Sequence, residues 1–365
     1  MNLRCSTCQL SYPLDTREWV CKCGGMLELD SSQPFSAQSI VEGDSTLWRY
    51  QGMLPVEGAE HIVSLGEGGT PLVETQIYGV PVICKLEFMA PTGSFKDRGT
   101  AVLVSLLRGM GIKEVVEDSS GNAAASLAAY CARAGIHARI FVPAYASPAK
   151  LAQITVYGAE LVPVDGPREN AAFAAQEAAR GAYYASHNYS PFFLEGTKTV
   201  AFEIWEDLGQ RAPDNMILPL GNGSLLMGAY RGFADLRTAG LLERVPRLFA
   251  VQARACAPFY EAFRKGWDDA QPVAAGSTVA EGIHIAAPVR GRQVLRAIRE
   301  TGGAVLVVDE LEIGEAQHLL AQQGLYVEPT SATVAAALRK MDKMIEGGHV
   351  TVVPLTGSGL KSARH

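Results

Sequence analysis

The sequence lacks any apolar run long enough to span a bilayer, and its first residues, Met1 to Cys5, lack the apolar core of a signal peptide. It has no excess of basic residues, because 32 Lys and Arg stand against 38 Asp and Glu, for a net charge of −6. It contains no internal repeat and no low-complexity tract. We therefore expect a cytoplasmic protein with no membrane partner and no nucleic-acid partner.

Cysteine is scarce and odd in number, with seven residues in a chain of 365. Cys84, Cys131 and Cys256 stand alone in apolar-rich segments, which predicts reduced, buried thiols rather than disulfides. The chain is longer than the size at which single hydrophobic cores usually divide. We expect two α/β domains and a small appendage.

The other four cysteines form two close pairs near the N-terminus: Cys5, Cys8, Cys21 and Cys23. Two such pairs, separated by the length of a short hairpin, suit a tetrahedral structural zinc site. The single residue between the second pair is less usual than two, so a segment that no longer binds metal and a redox role stay as alternatives. Nothing in the segment offers an open coordination position for a catalytic metal.

Lys96 occupies an informative position between a turn at 91–93 and a predicted helix, which is indicated by apolar residues at Val102, Leu103, Leu106 and Leu107. A helix N-terminus disfavours a positive charge, and partial burial would depress the pKa of the amine. Such amines form Schiff bases with pyridoxal phosphate or with carbonyl substrates. A lone lysine, however, is more often a solvated surface residue.

Two later segments each combine a strand, a polar turn and the start of a helix. The first contains Ser-Ser-Gly-Asn at 119–122 and would bind a carboxylate through backbone N–H groups. The second contains Gly-Asn-Gly-Ser at 221–224 after the strand 216–220, an arrangement that cradles phosphate. Together, in this order, the lysine and the two loops are far more specific than any one of them.

On these segments the chain resembles the tryptophan-synthase-β-like superfamily of pyridoxal-phosphate (PLP) enzymes, fold type II, and within it the threonine synthases. The similarity runs from about residue 60 to the end and covers residues 66–72, 91–99, 119–122, 194–199, 221–224, 326–332 and 355–361. The resemblance implies an α/β, two-domain PLP fold type II with an N-terminal zinc-ribbon-like appendage. It also implies a homodimer and an amino acid substrate.

The resemblance assigns roles to individual residues. Lys96 would form the Schiff base and then act as general base at Cα, Asn122 would bond the ring hydroxyl, and Thr356 would meet the pyridine nitrogen. A hydroxyl cannot keep that nitrogen protonated, which fits elimination and replacement better than transamination. The PLP phosphate would be bound by backbone N–H groups of Gly221, Asn222, Gly223, Ser224 and Leu225. The substrate contacts would come from Ser119, Ser120, Gly121, Ala123, His187 and Asn188.

The chain departs from the threonine synthases where these bind the phosphate of O-phosphohomoserine. Phe193 stands at the position of their arginine, Ala185 stands near their asparagine, and Ala123 replaces a frequent threonine. Phenylalanine cannot form the bidentate bonds that favour phosphate recognition. Either other groups hold the phosphate, with His187, Asn188, Lys198 and Arg290 as candidates, or the substrate carries no such phosphate.

The predicted domains are a zinc-ribbon-like segment at 1–30, a connector at 31–60, a large PLP-binding domain at 60–99 plus 190–365, and a small domain at 100–190. The predicted function is that of a PLP-dependent carbon–oxygen lyase closest to threonine synthase. The alternative is β-replacement or β-elimination on serine, O-phosphoserine or a related amino acid, as in cysteate-synthase-like or dehydratase-like enzymes. A non-catalytic protein that keeps the fold is disfavoured because Lys96 is present.

Overall fold

A computed structural model describes residues 1–30, 33–146, 148–341 and 344–361, without the side chains of 148–150. The chain begins with a small antiparallel sheet of order β2-β1-β3, formed by β1 (Asn2–Cys5), β2 (Ser11–Pro13) and β3 (Leu27–Leu29). A loop-rich segment follows, and Trp48 anchors it by donating from Nε1 to Glu67 Oε1 at 2.7 Å. Both Trp48 and Tyr50 are buried.

The next part of the chain alternates strands and helices. It comprises β4 (Leu72–Ile77), β5 (Val80–Lys85), α1 (Lys96–Gly109), β6 (Glu114–Glu117), α2 (Asn122–Ala134), β7 (His137–Pro143), α3 (Pro148–Val156), β8 (Glu160–Val164), α4 (Arg168–Ala178) and β9 (Tyr183–Tyr184). Strands β6 to β9 form a four-stranded parallel sheet of order β8-β7-β6-β9. Parallel sheets are covered by helices on their faces, which explains the alternation in the sequence.

The remaining elements complete a second, six-stranded sheet. They are α5 (Pro191–Thr197), α6 (Thr199–Asp207), β10 (Asn215–Pro219), α7 (Ser224–Thr238), β11 (Arg247–Ala253), α8 (Pro258–Arg264), α9 (Gly291–Glu300), β12 (Val305–Val308), α10 (Glu310–Gln322), α11 (Pro329–Leu338) and β13 (Thr351–Pro354). The strand order is β12-β11-β10-β13-β5-β4. The central strands β10 and β13 are buried along their whole length.

Alternation of strands and helices in a sequence is typical of parallel sheets, yet the six-stranded sheet is mixed. Strand β4 runs antiparallel to β5, because a tight turn at Tyr78 and Gly79 returns the chain directly. Their φ angles of 52° and 79° are those that favour a hairpin turn. The α/β fold is confirmed, while the proposed division into domains stays a prediction.

Two other expectations from the sequence are met. Cys84, Cys131 and Cys256 are buried free thiols, as predicted. No helix in the described part of the chain is long and apolar enough to cross a membrane.

A buried ion cluster fixes the start of α1. Arg98 donates to both carboxylate oxygens of Glu87 at 2.7 Å and to both of Glu203 at 2.6 Å. Lys85 Nζ lies 3.0 Å from the second oxygen of Glu203. Although burial alone would raise it, the charges of Arg98 and Lys85 lower the pKa of Glu203 to about 2.

We expect Arg98→Met to lower the free energy of unfolding by about 3–5 kcal/mol, because it leaves buried carboxylates without their partner. Urea unfolding at pH 7 measures this loss. In the wild-type protein, the contribution of Glu203 is present above its unfolded pKa of about 4.3 and is lost as the pH falls toward its folded pKa.

The control is Arg254→Met, which removes an exposed pair with Asp309 and should cost about 1 kcal/mol or less. Equal unfolding midpoints for the two variants would contradict the importance of the buried cluster.

Candidate active site

Lys96 lies at a junction where two distant chain segments pair beside the first turn of α1. Phe95 N–H donates to the Thr356 carbonyl at 3.0 Å, and Ser358 N–H donates to the Gly93 carbonyl at 3.0 Å. The pairing brings Thr356 to the backbone residue that precedes Lys96. Two residues that the sequence predicted as cofactor contacts are therefore neighbours.

The environment of Lys96 makes its amine easier to deprotonate than that of an ordinary lysine. Burial lowers its pKa to about 8, against the opposing effect of the negative charges of Glu117 and Glu328. Its Nζ lies 4.8 Å from the centre of the Phe95 ring and 5.6 Å from that of Phe193. The depressed pKa expected from the sequence is confirmed, and its largest cause is desolvation.

Asn122 is linked to the same junction by hydrogen bonds to Glu328. Its Nδ2 donates to the two carboxylate oxygens of Glu328 at 2.9 and 3.2 Å. Glu328 N–H donates in turn to the carbonyl of Gly357 at 3.0 Å, next to Thr356. The amide of Asn122, at the first position of α2, is thus oriented toward the segment that contains Thr356.

Ser331 determines the direction in which the Thr356 hydroxyl donates. Ser331 Oγ accepts from the backbone N–H groups of Thr356 and Gly357, both at 2.9 Å, and lies 2.8 Å from Thr356 Oγ1. Since both of its lone pairs are used, its hydroxyl proton is available for Thr356 Oγ1. The Thr356 proton is then free to be donated to another acceptor.

The glycine-rich turn at 221–224 connects β10 to α7. Gly223 has a φ of +88°, the left-handed conformation that favours glycine. A Cβ on Gly221 would lie 3.1 Å from the Gly282 carbonyl oxygen. No side chain caps α7, so Ser224 and Leu225 present N–H groups at the positive end of a 15-residue helix. Asn222 Oδ1 accepts from Val289 N–H at 3.3 Å, which braces the turn.

The second polar region lies where β6 and β9 end. These strands are parallel neighbours, and the ladder continues with Ala185 N–H donating to the Val116 carbonyl at 2.9 Å. Because parallel strands end at the same edge of a sheet, the residues that follow them meet. His187 Nδ1 lies 2.6 Å from Glu117 Oε1, and burial raises the pKa of this carboxyl to about 7.

The predicted carboxylate loop follows β6 directly. Ser119 Oγ accepts from Gly121 N–H at 3.2 Å, and no side chain caps α2 at Gly121. The first N–H groups of α2, including that of Ala123, therefore remain available for an anion. Ser120 is half-buried in the same turn.

Several buried oxygens on the elements around Lys96 have no hydrogen-bond partner among the described residues. They include Ser94 Oγ, Glu117 Oε2 and Asn188 Oδ1. Buried polar atoms are nearly always hydrogen-bonded, so unpaired atoms on these elements indicate places that a ligand fills. Such atoms, together with the uncapped α7 turn, fit a phosphorylated cofactor and a polar substrate.

Two of the cations proposed as phosphate ligands are already paired inside the protein. Lys198 Nζ is buried 2.6 Å from Glu195 and 2.9 Å from Asp235. The guanidinium of Arg290 is buried and is paired with Glu28 at 2.5 Å. It also donates to the carbonyls of Asn188 and Tyr189, both at 2.9 Å. Arg290 therefore orients the segment after His187, and neither cation is free to bind phosphate.

Sequence reasoning assigned no role to Glu117, Glu328 or Ser331. Glu328 and Ser331 lie within the segment 326–332 that carries the resemblance, and Glu117 lies two residues before the segment 119–122. The sequence alone could have pointed to Glu117, because a carboxylate at the end of an apolar strand is unusual and is stable there only with a partner. Its partner His187 was instead considered alone.

The N-terminal cysteines come together as predicted. The Sγ atoms of Cys5, Cys8, Cys21 and Cys23 all lie within 4.8 Å of one another. Backbone N–H groups of Thr7 and Cys8 point to Cys5 Sγ at 3.4 Å, as donors that stabilise a metal-bound thiolate would. The four thiols fit a tetrahedral metal site.

Comparison with known proteins agrees with this geometry. The family described as "Pyridoxal-phosphate dependent enzyme" matches residues 63–357. A threonine synthase from Methanocaldococcus jannaschii is 37% identical over 98% of this chain and 92% of its own length. Another, from Methanosarcina acetivorans, is 35% identical over 97% of this chain and 90% of its own length.

Solved structures share the fold at lower identity. Maize serine racemase superposes with a TM-score of 0.69 at 22% identity, covering 80% of this chain and 88% of its own. A fungal L-serine ammonia-lyase from Rhizomucor miehei superposes with a TM-score of 0.70 at 21% identity, covering 79% of this chain and 93% of its own. The chain therefore belongs to the family of pyridoxal-phosphate-dependent enzymes of fold type II, and it is threonine synthase-like within that family.

Proposed function

We propose that this PLP-dependent enzyme expels a leaving group from the side chain of an amino acid, and that it acts as a threonine synthase does, on O-phosphohomoserine to give threonine and phosphate. The observation that carries the proposal is the junction around Lys96. A lysine with a pKa of about 8 stands beside Thr356 and near Asn122. The threonine synthase relatives support the choice of substrate.

In this proposal the cofactor is held at both of its ends. Lys96 would hold its aldehyde carbon, and the N–H groups of 221–225 would hold its phosphate at the start of α7. Thr356 would donate its hydroxyl proton to the pyridine nitrogen, as the hydrogen bonds of Ser331 allow, and Asn122 would bond the ring hydroxyl. Bound PLP supplies an electron sink for the electrons of the Cα–H bond.

Other residues position the substrate. The turn from Ser119 to Ala123 holds the substrate carboxylate with the N–H groups at the start of α2, and Asn188 offers its unpaired Oδ1 to a donor on the substrate. The amine of Lys96 would be the base that takes the Cα proton.

A second candidate is elimination or replacement on an amino acid without a distal phosphate, such as serine. Phe193 stands at the position of the arginine of the threonine synthases. Lys198 and Arg290 form ion pairs within the protein and are therefore not available to bind a phosphate group. The group beside Phe193 is His187, whose ring centre lies 5.8 Å away and whose partner is a carboxylate. The ionised fraction of Glu117 would disfavour a phosphate dianion at this place by like-charge repulsion.

The first assay is an end-point reaction of the PLP-loaded protein with O-phospho-L-homoserine, in which free phosphate and the amino acid product are both quantified. The proposal predicts threonine and phosphate in equal amounts, and no product from Lys96→Ala. Turnover of L-serine or O-phospho-L-serine, with none of O-phospho-L-homoserine, would establish the second candidate instead.

We also propose that Cys5, Cys8, Cys21 and Cys23 bind a structural zinc ion. The proposal is supported by four clustered thiols on the small antiparallel sheet, a closed ligand set that leaves no position for substrate.

The purified protein should contain about one zinc ion per chain, measured by atomic spectroscopy after dialysis. Cys21→Ser should lose this zinc, because it removes one of four ligands, while Cys84→Ser, a buried cysteine outside the cluster, should keep it. Metal-free wild-type protein from zinc-supplemented cells would contradict the assignment.

A further inference from the structure

Glu117 and His187 form a buried acid–base pair that the cofactor and carboxylate contacts leave unused. The His187 Nδ1 to Glu117 Oε1 distance is 2.6 Å, and the two side chains are 13% and 1% exposed. The second oxygen, Glu117 Oε2, has no hydrogen-bond partner within the described chain. Burying a carboxyl with half of its hydrogen bonds unmade costs stability, so a structural role alone explains the pair poorly.

The pair lies on the wall of the site next to Phe193. The His187 ring packs edge-on against Phe193, with an interplanar angle of 63°, and Lys96 Nζ lies 5.6 Å from the centre of the same Phe193 ring. Phe193 thus contacts both the amine that acts at Cα and the imidazole. This wall is where the threonine synthase resemblance places the far end of the substrate side chain.

Glu117 controls which hydrogen-bonding role His187 Nε2 plays. When the pair holds two protons, it is neutral overall and Nε2 carries a hydrogen that it can donate. When it holds one proton, that proton lies between Nδ1 and Glu117, and Nε2 is an acceptor. Burial lowers the pKa of His187 and raises that of Glu117, so the neutral forms of both groups are favoured.

We propose that, in the second candidate reaction, where the leaving group of the amino acid substrate is a hydroxyl, His187 is the general acid that protonates it and Glu117 positions His187. The proposal rests on the PLP chemistry of the proposed function and deepens its second candidate. A hydroxyl requires a proton to leave, whereas a phosphate group departs as a stable anion without one.

The step balances in protons and electrons. Lys96 takes the Cα proton, and the electrons of that bond expel the oxygen as the carbon–oxygen bond breaks. The departing oxygen takes the bond's electron pair and the proton from His187 Nε2, and so leaves as water. One proton is gained at Lys96 and one is lost at His187, and exchange with solvent restores both.

The test uses two PLP-loaded variants, His187→Gln and Glu117→Gln. In each variant, removal of the Cα hydrogen is measured separately from loss of the leaving group. L-serine and O-phospho-L-homoserine are the probes in deuterated water. Exchange of the Cα hydrogen needs Lys96 and the cofactor alone, and product formation needs the leaving group as well. For L-serine, His187→Gln should keep exchange near the wild-type rate and lose product formation by about 100-fold or more. Glu117→Gln should show a smaller loss in the same step.

The matched control is His137→Gln, which removes a histidine paired with a carboxylate at the surface, 3.4 Å from Glu160. It should change neither rate. The inference is overturned if exchange and product formation fall together in a His187→Gln protein with normal cofactor absorbance, or if neither falls. It is also overturned if the wild type converts only O-phospho-L-homoserine. If the wild type exchanges neither probe, the proposed function itself fails.

Discussion

The position of Lys96 depends on the buried charges beneath it. Arg98 is two residues further along α1 and is held by Glu87 and Glu203, with Lys85 completing the cluster. A charge without its partner is very costly in a buried site, so the cluster permits only a narrow range of positions for the start of α1. The helix therefore presents Lys96 to the site in a fixed position, and the depressed pKa of its amine follows from that position.

The site is assembled from the ends of both large sheets. The four-stranded sheet contributes Glu117, His187 and the turn before α2, and the six-stranded sheet contributes the glycine turn and the Thr356 segment. Helix α5 packs against both α1 and α7. Close approach is possible because Gly99 faces Phe193 and Gly228 faces Thr197, where a Cβ would lie at 2.6 and 2.7 Å.

What the sequence predicted well is local. The helix that starts at Asn122 and the turn before α7 follow from patterns within about 15 residues, and the structure contains both. Lys96, the candidate Schiff-base lysine, was likewise recognisable from its neighbours in the chain.

What the sequence did not predict depends on strand order. Glu117 and His187 are 70 residues apart and meet only because β9 pairs with β6. Glu28 and Arg290 are 262 residues apart, and their pairing joins β3 of the N-terminal sheet to the segment beside His187. Arg290 therefore took the role of an internal brace, although its sequence position suggested a phosphate ligand.

The central claim is that the junction of Lys96, Asn122, Thr356 and the glycine turn binds PLP. A crystal structure of the PLP-loaded protein tests it most directly. We expect continuous density from Lys96 Nζ to the cofactor, the cofactor phosphate at the N–H groups of 221–225, and Thr356 Oγ1 within hydrogen-bonding distance of the pyridine nitrogen. Cofactor bonded to a different lysine, or a phosphate held away from α7, would contradict it.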